Sequence, residues 1–412
     1  MWGHFMKLFQ RLLVAPAALG LISPIAANAT EVNLNEISNY SDIDSIEVVN
    51  SFDTVELNKS PLLAGGEGLG ESPSYDGSFS ETTTAAFTVD FAIGAVDGKD
   101  RTTSGDGHTD GDEALQATYG FQIDLNTSFT GEDSLDVSID AGNASGSVSE
   151  FDLNGPVTTG GDTATDDVLV VDGISYTFPV GDKTTVLIGN NTDGSALFTL
   201  ACAYGTPSNT MDDCGAPKAG ITGGGTTFGA SYDFGSGFTV AAGLQTEDAS
   251  IVTKESQDQY ALNVAYTADN YGASVTYAAY EHASGSTHTD YYTALNAYYT
   301  FDNGISVSGG YEVGTLANKN KYTDETTAYF VGVESEFGPG TLGAAFGTQG
   351  AIAEEYVSGG TSKTEEDMMY EIYYSYEVND GMTVTPLIYT KEGTSATDVD
   401  ETGIMVKTSF SF

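Results

Sequence analysis

Basic side chains are scarce in this sequence: 13 Lys+Arg stand against 59 Asp+Glu over 412 residues, a net charge of −46. A phosphate-gripping surface needs a basic patch, so this balance has the wrong sign for nucleic acid. Histidine occurs four times, cysteine twice and tryptophan once. That leaves little material for a zinc centre or a redox relay, and no cofactor is expected. Past the N-terminal segment no apolar run reaches the roughly 18 residues of a membrane-crossing helix. No long stretch repeats at i, i+3, i+4 and i+7 either, which predicts little helix. The chain is still no disordered acidic polymer, because 40% of its residues are hydrophobic. Glycine (50), tyrosine (24) and phenylalanine (20) are the abundant types.

The N-terminus reads as an address. Lys7 and Arg11 precede a short apolar stretch, Leu12 to Ile22, and Ala27-Asn28-Ala29 forms a small-residue cleavage signature. Residues 1–29 are therefore expected to be a secretory signal peptide. Residues 30–74 read as a polar periplasmic linker, and 75–412 as one β-domain.

That domain alternates with period two. Leu115, Tyr119, Phe121, Ile123 and Leu125 are apolar, while Gln116, Thr118, Gln122 and Asp124 between them are polar. Tyr260, Leu262, Val264 and Tyr266 alternate with Gln259, Asn263 and Thr267 in the same way. Period two means a strand with one apolar and one wet face. Such runs predict about 16 strands, near 83–93, 113–125, 133–142, 167–179, 183–189, 226–233, 237–246, 258–267, 271–281, 289–301, 304–314, 326–337, 340–348, 365–378, 381–390 and 401–412. In the fourth, Asp172 shares parity with Val170 and Ile174 and breaks the rule. Tight turns such as Asp302-Asn303-Gly304 and Asn379-Asp380-Gly381 take strict turns with long polar loops, among them 190–225. In an up-and-down barrel this puts the turns at one rim, facing the periplasm, and the loops at the other, facing outside. The expected fold is an all-β transmembrane antiparallel barrel.

A sandwich also alternates, so charge placement carries weight. Asp90, Asp124, Asp136, Asp140, Glu312, Glu334, Glu371 and Lys407 all sit on the polar parity of their strands and are the lumen-lining candidates. Aromatics near strand ends, such as Tyr232, Phe238, Tyr271, Phe301 and Phe337, fit a girdle at the membrane interface. The last strand carries Ile404, Val406, Thr408, Phe410 and Phe412 on one face, and Phe412 ends the chain. Phe410 and Phe412 are thus the candidate signal for barrel-assembly machinery.

Several segments then resemble a family. They are Met6-Lys7-Leu8-Phe9 through Ala15-Pro16-Ala17-Ala18, the run Cys202 to Cys214 followed by Ala219 to Gly225, Asn379 to Pro386, and the ending Gly403 to Phe412. They are similar to cyanobacterial outer-membrane porins grouped with the carbohydrate-selective, OprB-type family. The resemblance implies an outer-membrane barrel through which carbohydrates pass. That family usually carries an S-layer-homology domain and a coiled coil before the barrel, and residues 30–74 are too short and too polar for either.

As the only cysteines of an exported chain, Cys202 and Cys214 are expected to pair. The bridge falls in the third long loop. In general porins that loop folds inward, so the bridged loop is the candidate constriction, with Asp212, Asp213 and Lys218 as its charged residues. An external loop stapled against proteolysis is the competing reading. The acidic run Asp106 to Glu113 lacks the spacing of a calcium loop. His282, His288 and Asp290 have no serine in a nucleophile motif to act with, so no enzyme is expected. The expectation is a passive, cation-leaning porin for small hydrophilic solutes and ions, trimeric or monomeric, in contact with outer-membrane lipid. Its rivals are a structural or adhesive barrel with a plugged lumen and a secreted β-sandwich adhesin.

Overall fold

A computed structural model describes residues 83–97, 115–142, 168–205, 207–208, 211–222, 224–253, 256–281, 289–317, 322–348, 352–357, 360–361, 368–392 and 400–412. The expected signal peptide, the linker, the run Asp106 to Glu113, His282 and His288 lie outside them.

The strands are β1 (Thr83–Asp97), β2 (Gln116–Thr127), β3 (Ser134–Gly142), β4 (Val170–Val180), β5 (Thr184–Asn190), β6 (Thr226–Gly235), β7 (Phe238–Thr246), β8 (Gln259–Thr267) and β9 (Tyr271–Glu281). They continue as β10 (Thr289–Thr300), β11 (Ser306–Thr315), β12 (Tyr322–Phe337), β13 (Gly340–Thr348), β14 (Ile352–Val357), β15 (Gly360–Thr361), β16 (Met368–Asn379), β17 (Met382–Lys391) and β18 (Glu401–Ser411). β14 and β15 form a small hairpin beyond the wall, and β13 pairs directly with β16. The other sixteen strands are each antiparallel to the next, and β18 returns to pair with β1 over Thr88↔Ser411 to Asp97↔Thr402. The result is a closed antiparallel barrel with no free edge to be managed. Phe412 completes the seam: its amide donates to the Phe87 carbonyl, and its carbonyl accepts from the Phe87 amide.

Each predicted strand has a counterpart here, with ends shifted by a few residues. The irregular fourth has a physical cause. The β3–β4 register slips between Ser138 and Ile139, and Asp172 is the extra residue of a bulge. A bulge resets parity, so Val171 and Ile174 both face outward although they stand three apart.

The alternation sorts side chains between the faces of the wall. Leu262 and Val264 on β8 are 48% and 43% exposed, while Asn263 between them is 1% exposed. Ile93 on β1 is 53% exposed and the preceding Ala92 is 0%. The outer face is thus apolar, the reverse of a barrel dissolved in water. At the short-turn rim the outer aromatics touch one another. Phe87 stacks on Phe412 (5.5 Å), Tyr232 meets Phe234 (4.7 Å), Phe238 meets Tyr266 (4.6 Å), and Tyr299 meets Phe301 (4.8 Å). The turns there are short because residues such as Gly237 take a left-handed conformation, φ +86°.

Candidate functional site

The loop between β5 and β6 lies against the inner face of the wall as a hairpin with two arms. Its outgoing arm is extended, and alternate amides find side-chain oxygens on β8, β9, β11 and β12 in turn. Thr199 N donates to Asn263 Oδ1 on β8 (3.1 Å), Ala201 N to Ser274 Oγ on β9 (3.0 Å), and Ala203 N to Ser308 Oγ on β11 (2.8 Å). Gly205 N donates to Glu334 Oε1 on β12 (2.5 Å), and Tyr373 of β16 donates its hydroxyl to the same oxygen. At the far end Glu371 of β16 accepts from the Tyr204 hydroxyl (2.8 Å) and from the Ser208 hydroxyl.

The return arm retraces this course. Asn296 Nδ2 on β10 donates to the Cys214 carbonyl (2.8 Å). Glu312 Oε2 on β11 accepts from Lys218 N (3.1 Å) and Ala219 N (2.8 Å), and the Tyr280 hydroxyl on β9 donates to the Lys218 carbonyl (2.5 Å). A disulfide between Cys202 and Cys214, Cα atoms 6.4 Å apart, ties the arms together. A buried polar group left without a partner costs about 1–3 kcal/mol, so these matched donors and acceptors specify the loop's course.

Apolar contacts reinforce it. Tyr204, Met211 and Cys214 pack with Phe330, Met369, Tyr389 and Met405 of the wall. Ala216, Ala219 and Ile221 pack with Ala261, Ala278, Tyr292 and Ala294. Close approach of the loop backbone requires small residues beneath it. A Cβ on Gly310 would run into the Cys214 carbonyl, one on Gly243 into the Gly194 carbonyl, and one on Gly332 would sit 2.8 Å from the Tyr204 ring.

The sector of β2 and β3 is different. Its inner face carries Gln122, Asp124, Asn126, Ser134, Asp136, Ser138 and Asp140, all half-buried apart from exposed Asn126. The carboxylates there are held by their own sheet. Asp124 Oδ1 accepts from Gln122 Nε2 (2.8 Å) and Ser138 Oγ (2.7 Å). Asp136 accepts from Asn126 Nδ2 (2.6 Å) and Ser134 Oγ (2.8 Å).

The residues singled out from sequence therefore fall into groups. Asp90, Asp124, Asp136, Asp140, Glu312, Glu334, Glu371 and Lys407 all stand on the inner face. Asp90 and Lys407 are neighbours across the β1–β18 seam. On the return arm Asp213 and Lys218 are exposed and Asp212 is half-buried. Phe410 and Phe412 face outward at the short-turn rim, at the β18–β1 seam. Asp290 accepts from the Ala317 amide (2.8 Å) and so holds the start of a loop. Sequence reasoning missed the anchoring role of Asn263, Ser274, Asn296 and Ser308. The available signal was the run of glycine, alanine and serine on the polar parity of β7 to β13, where lumen residues should be larger.

Solved structures share this architecture. Two substituted variants of the Rh. blastica porin match with TM-scores of 0.53 and 0.54, at 14% and 13% identity, covering 80% of this chain and 100% of theirs. The fold is porin-like. A further chain, described as "Asymmetric conductivity of engineered proteins", matches at TM-score 0.51 and 13% identity over the same shares. No protein-family model and no curated protein matches the sequence.

Proposed function

We propose that this protein is an outer-membrane diffusion channel. The observation that carries the reading is the pairing of an apolar, aromatic-rimmed outer wall with a polar inner wall along which a disulfide-bridged loop is laid. Lipid would cover the first and water fill the second. No reaction and no cofactor enter; the work is exclusion by size and charge. The bridged loop is the constriction, with Asp212, Asp213 and Lys218 on the arm that borders the lumen. Residues 1–29 direct export, 30–74 lie in the periplasm, and Phe410 and Phe412 are read by the assembly machinery. The barrel works as a trimer or a monomer.

The acid excess favours cations, because a low-dielectric wall of one sign concentrates counter-ions. Carbohydrate passage rests on the resemblance to carbohydrate-selective porins. Of the inward aromatics, Tyr292, Phe330, Tyr373 and Tyr389 are buried in loop contacts and Tyr298, half-buried, lies over Gly272, so neutral sugars would pass mainly by size. The plugged-barrel reading is favoured by how firmly the loop is bonded inside the wall. The full-length protein in planar bilayers separates the two: stepwise ohmic conductance supports the channel, and a silent folded barrel supports the plug. A well-folded monomer dissolved without detergent would sink both.

A further inference from the structure

We infer that a monovalent metal cation, sodium or potassium, is seated beneath the return arm at Glu312, held by buried oxygens that no protein group satisfies. The inference goes beyond the channel reading and does not depend on it.

Glu312 spends one of its two oxygens on the loop. Oε2 accepts from the Lys218 and Ala219 amides, while Oε1 is buried and has no hydrogen-bond partner in the protein. Asn296 on β10 is likewise half used. Its Nδ2 donates to the Cys214 carbonyl, and its Oδ1 is buried without a partner. A carbonyl can only accept, which fixes the orientation of the Asn296 amide. Thr326 Oγ1 on β12 is a third buried oxygen without a partner. Glu312, Asn296 and Thr326 are 1%, 3% and 3% exposed, so bulk water does not reach them. Glu371 differs, because both of its oxygens accept from the loop tip.

The register puts these atoms on one patch of the inner face. Glu312 stands between Ala294 on β10 and Ala328 on β12. Asn296, opposite Gly310, is one row nearer the short turns, and Thr326, opposite Gly314, is one row nearer the long loops. Such diagonal neighbours have Cα atoms about 7–8 Å apart, within reach of long side chains. Ala294 and Ala328 are fully buried, and Gly310 and Gly314 are the inward neighbours of Glu312 on its own strand. The carboxylate therefore has nothing larger than a methyl group beside it. Above, the Cys214 carbonyl presses on Gly310 and the Lys218 and Ala219 amides reach Glu312.

A buried anion needs a positive partner. Lys218 acts on Glu312 from an exposed position, and Asp213 adds a second negative field. The oxygens offered are a carboxylate, an amide and a hydroxyl, a hard set that suits neither copper nor zinc. Among the described residues no three His, Cys, Asp or Glu side chains come together as a metal cluster. One buried carboxylate balances a single positive charge, and neutral oxygens complete the shell, as carbonyls do for potassium in selectivity filters. The ion ties β10, β11 and β12 to the arm above them and takes no part in passage.

The test is thermal unfolding of the full-length protein in detergent micelles, in sodium chloride, potassium chloride and N-methyl-D-glucamine chloride at equal ionic strength. Equal ionic strength keeps the screening of the acidic chain constant, and the organic cation is too large for the niche. The unfolding midpoint is expected to be about 2–4 °C higher in at least one of the alkali salts than in the organic one. Glu312→Gln is expected to erase that difference, and Asp124→Asn, a carboxylate on β2, to keep it. Thr326→Val is expected to reduce it and gives the same reading should Glu312→Gln fail to fold. Equal midpoints in all three salts overturn the assignment. So does a difference that survives both niche variants, or one that Asp124→Asn removes as fully as they do. A protein that shifts as expected but carries no current would overturn the channel reading and leave the cation site standing.

Discussion

The inner wall from β7 to β16 and the inner wall of β2 and β3 belong to one barrel with one alternation, yet they are built from different residues. Under the loop many inward positions are small, among them Gly243, Ala261, Ser274, Ala278, Ala294, Gly310, Gly332 and Ala345, set between larger ones that touch the loop, such as Asn263, Tyr292, Glu312 and Phe330. On β2 and β3 they are Gln122, Asp124, Asn126, Asp136 and Asp140. The difference is steric before it is electrical. Where the loop backbone comes closest, at Gly243 and Gly310, the wall has no room for a side chain, whereas the inner face of β2 and β3 carries longer polar ones. Inward glycines therefore mark where the loop backbone presses on the wall.

Both sectors should share one apolar exterior, and that premise is the most exposed to failure. Val264→Arg on β8 and Val137→Arg on β3 are each expected to destabilise the barrel by about 2–4 kcal/mol when placed in lipid. Unfolding titrations in vesicles measure this, and a β3 variant without effect would place that side outside the bilayer. Cys202→Ser should act only on the covered sector. Losing the bridge is expected to remove about 3 kcal/mol in the chain-entropy model, read as a lower unfolding midpoint that reductant reproduces in the unsubstituted protein. Gly310→Ala sharpens the steric argument directly. A methyl group against the Cys214 carbonyl should cost about 1–3 kcal/mol and raise single-channel conductance as the return arm shifts. Ser138→Ala on β3, away from the loop's bonds, should leave conductance nearly unchanged.

The smallest effect lies outside the barrel wall, in the turn between β2 and β3. Asp133 accepts from the Thr130 hydroxyl (2.7 Å) and amide (2.7 Å), the Ser128 hydroxyl (2.9 Å) and the Tyr176 hydroxyl (2.7 Å). The Thr130 hydroxyl foremost, with the other donors, holds its carboxyl well below the ordinary value of 3.8. A depressed carboxyl contributes stability that is complete above its unfolded value and fades as pH falls toward the folded one. Asp133→Asn should therefore be less stable than the unsubstituted protein at neutral pH, and the gap should narrow progressively as pH falls below about 4. A gap unchanged between pH 7 and pH 2 would show that the turn's bonds do not depend on the charge.

Much of the barrel can be read from local pattern. Leu262-Asn263-Val264 states its two faces without help from any other strand, and Asp302-Asn303-Gly304 announces its turn. The bulge at Asp172 could be noticed as a broken parity but not explained, because a bulge is a relation between two strands. The loop's course was less legible still. Nothing in Thr199 to Gly205 says that its amides will meet Asn263, Ser274, Ser308 and Glu334, which lie between 64 and 129 residues away. Glu312, Glu334 and Glu371 could be assigned an inward face by parity. Whether they meet water or a loop could not.

What the sequence determined by itself was everything with a range of two residues: the strands, their apolar and polar faces, the short turns, and the excess of acid over base. Pleating sets these through neighbouring side chains alone. The tertiary structure decided which inward positions are roofed by the bridged loop, and so which carboxylates anchor it. That choice depends on matching backbone donors to wall oxygens across the closed barrel, and those distances exist only once β18 has met β1.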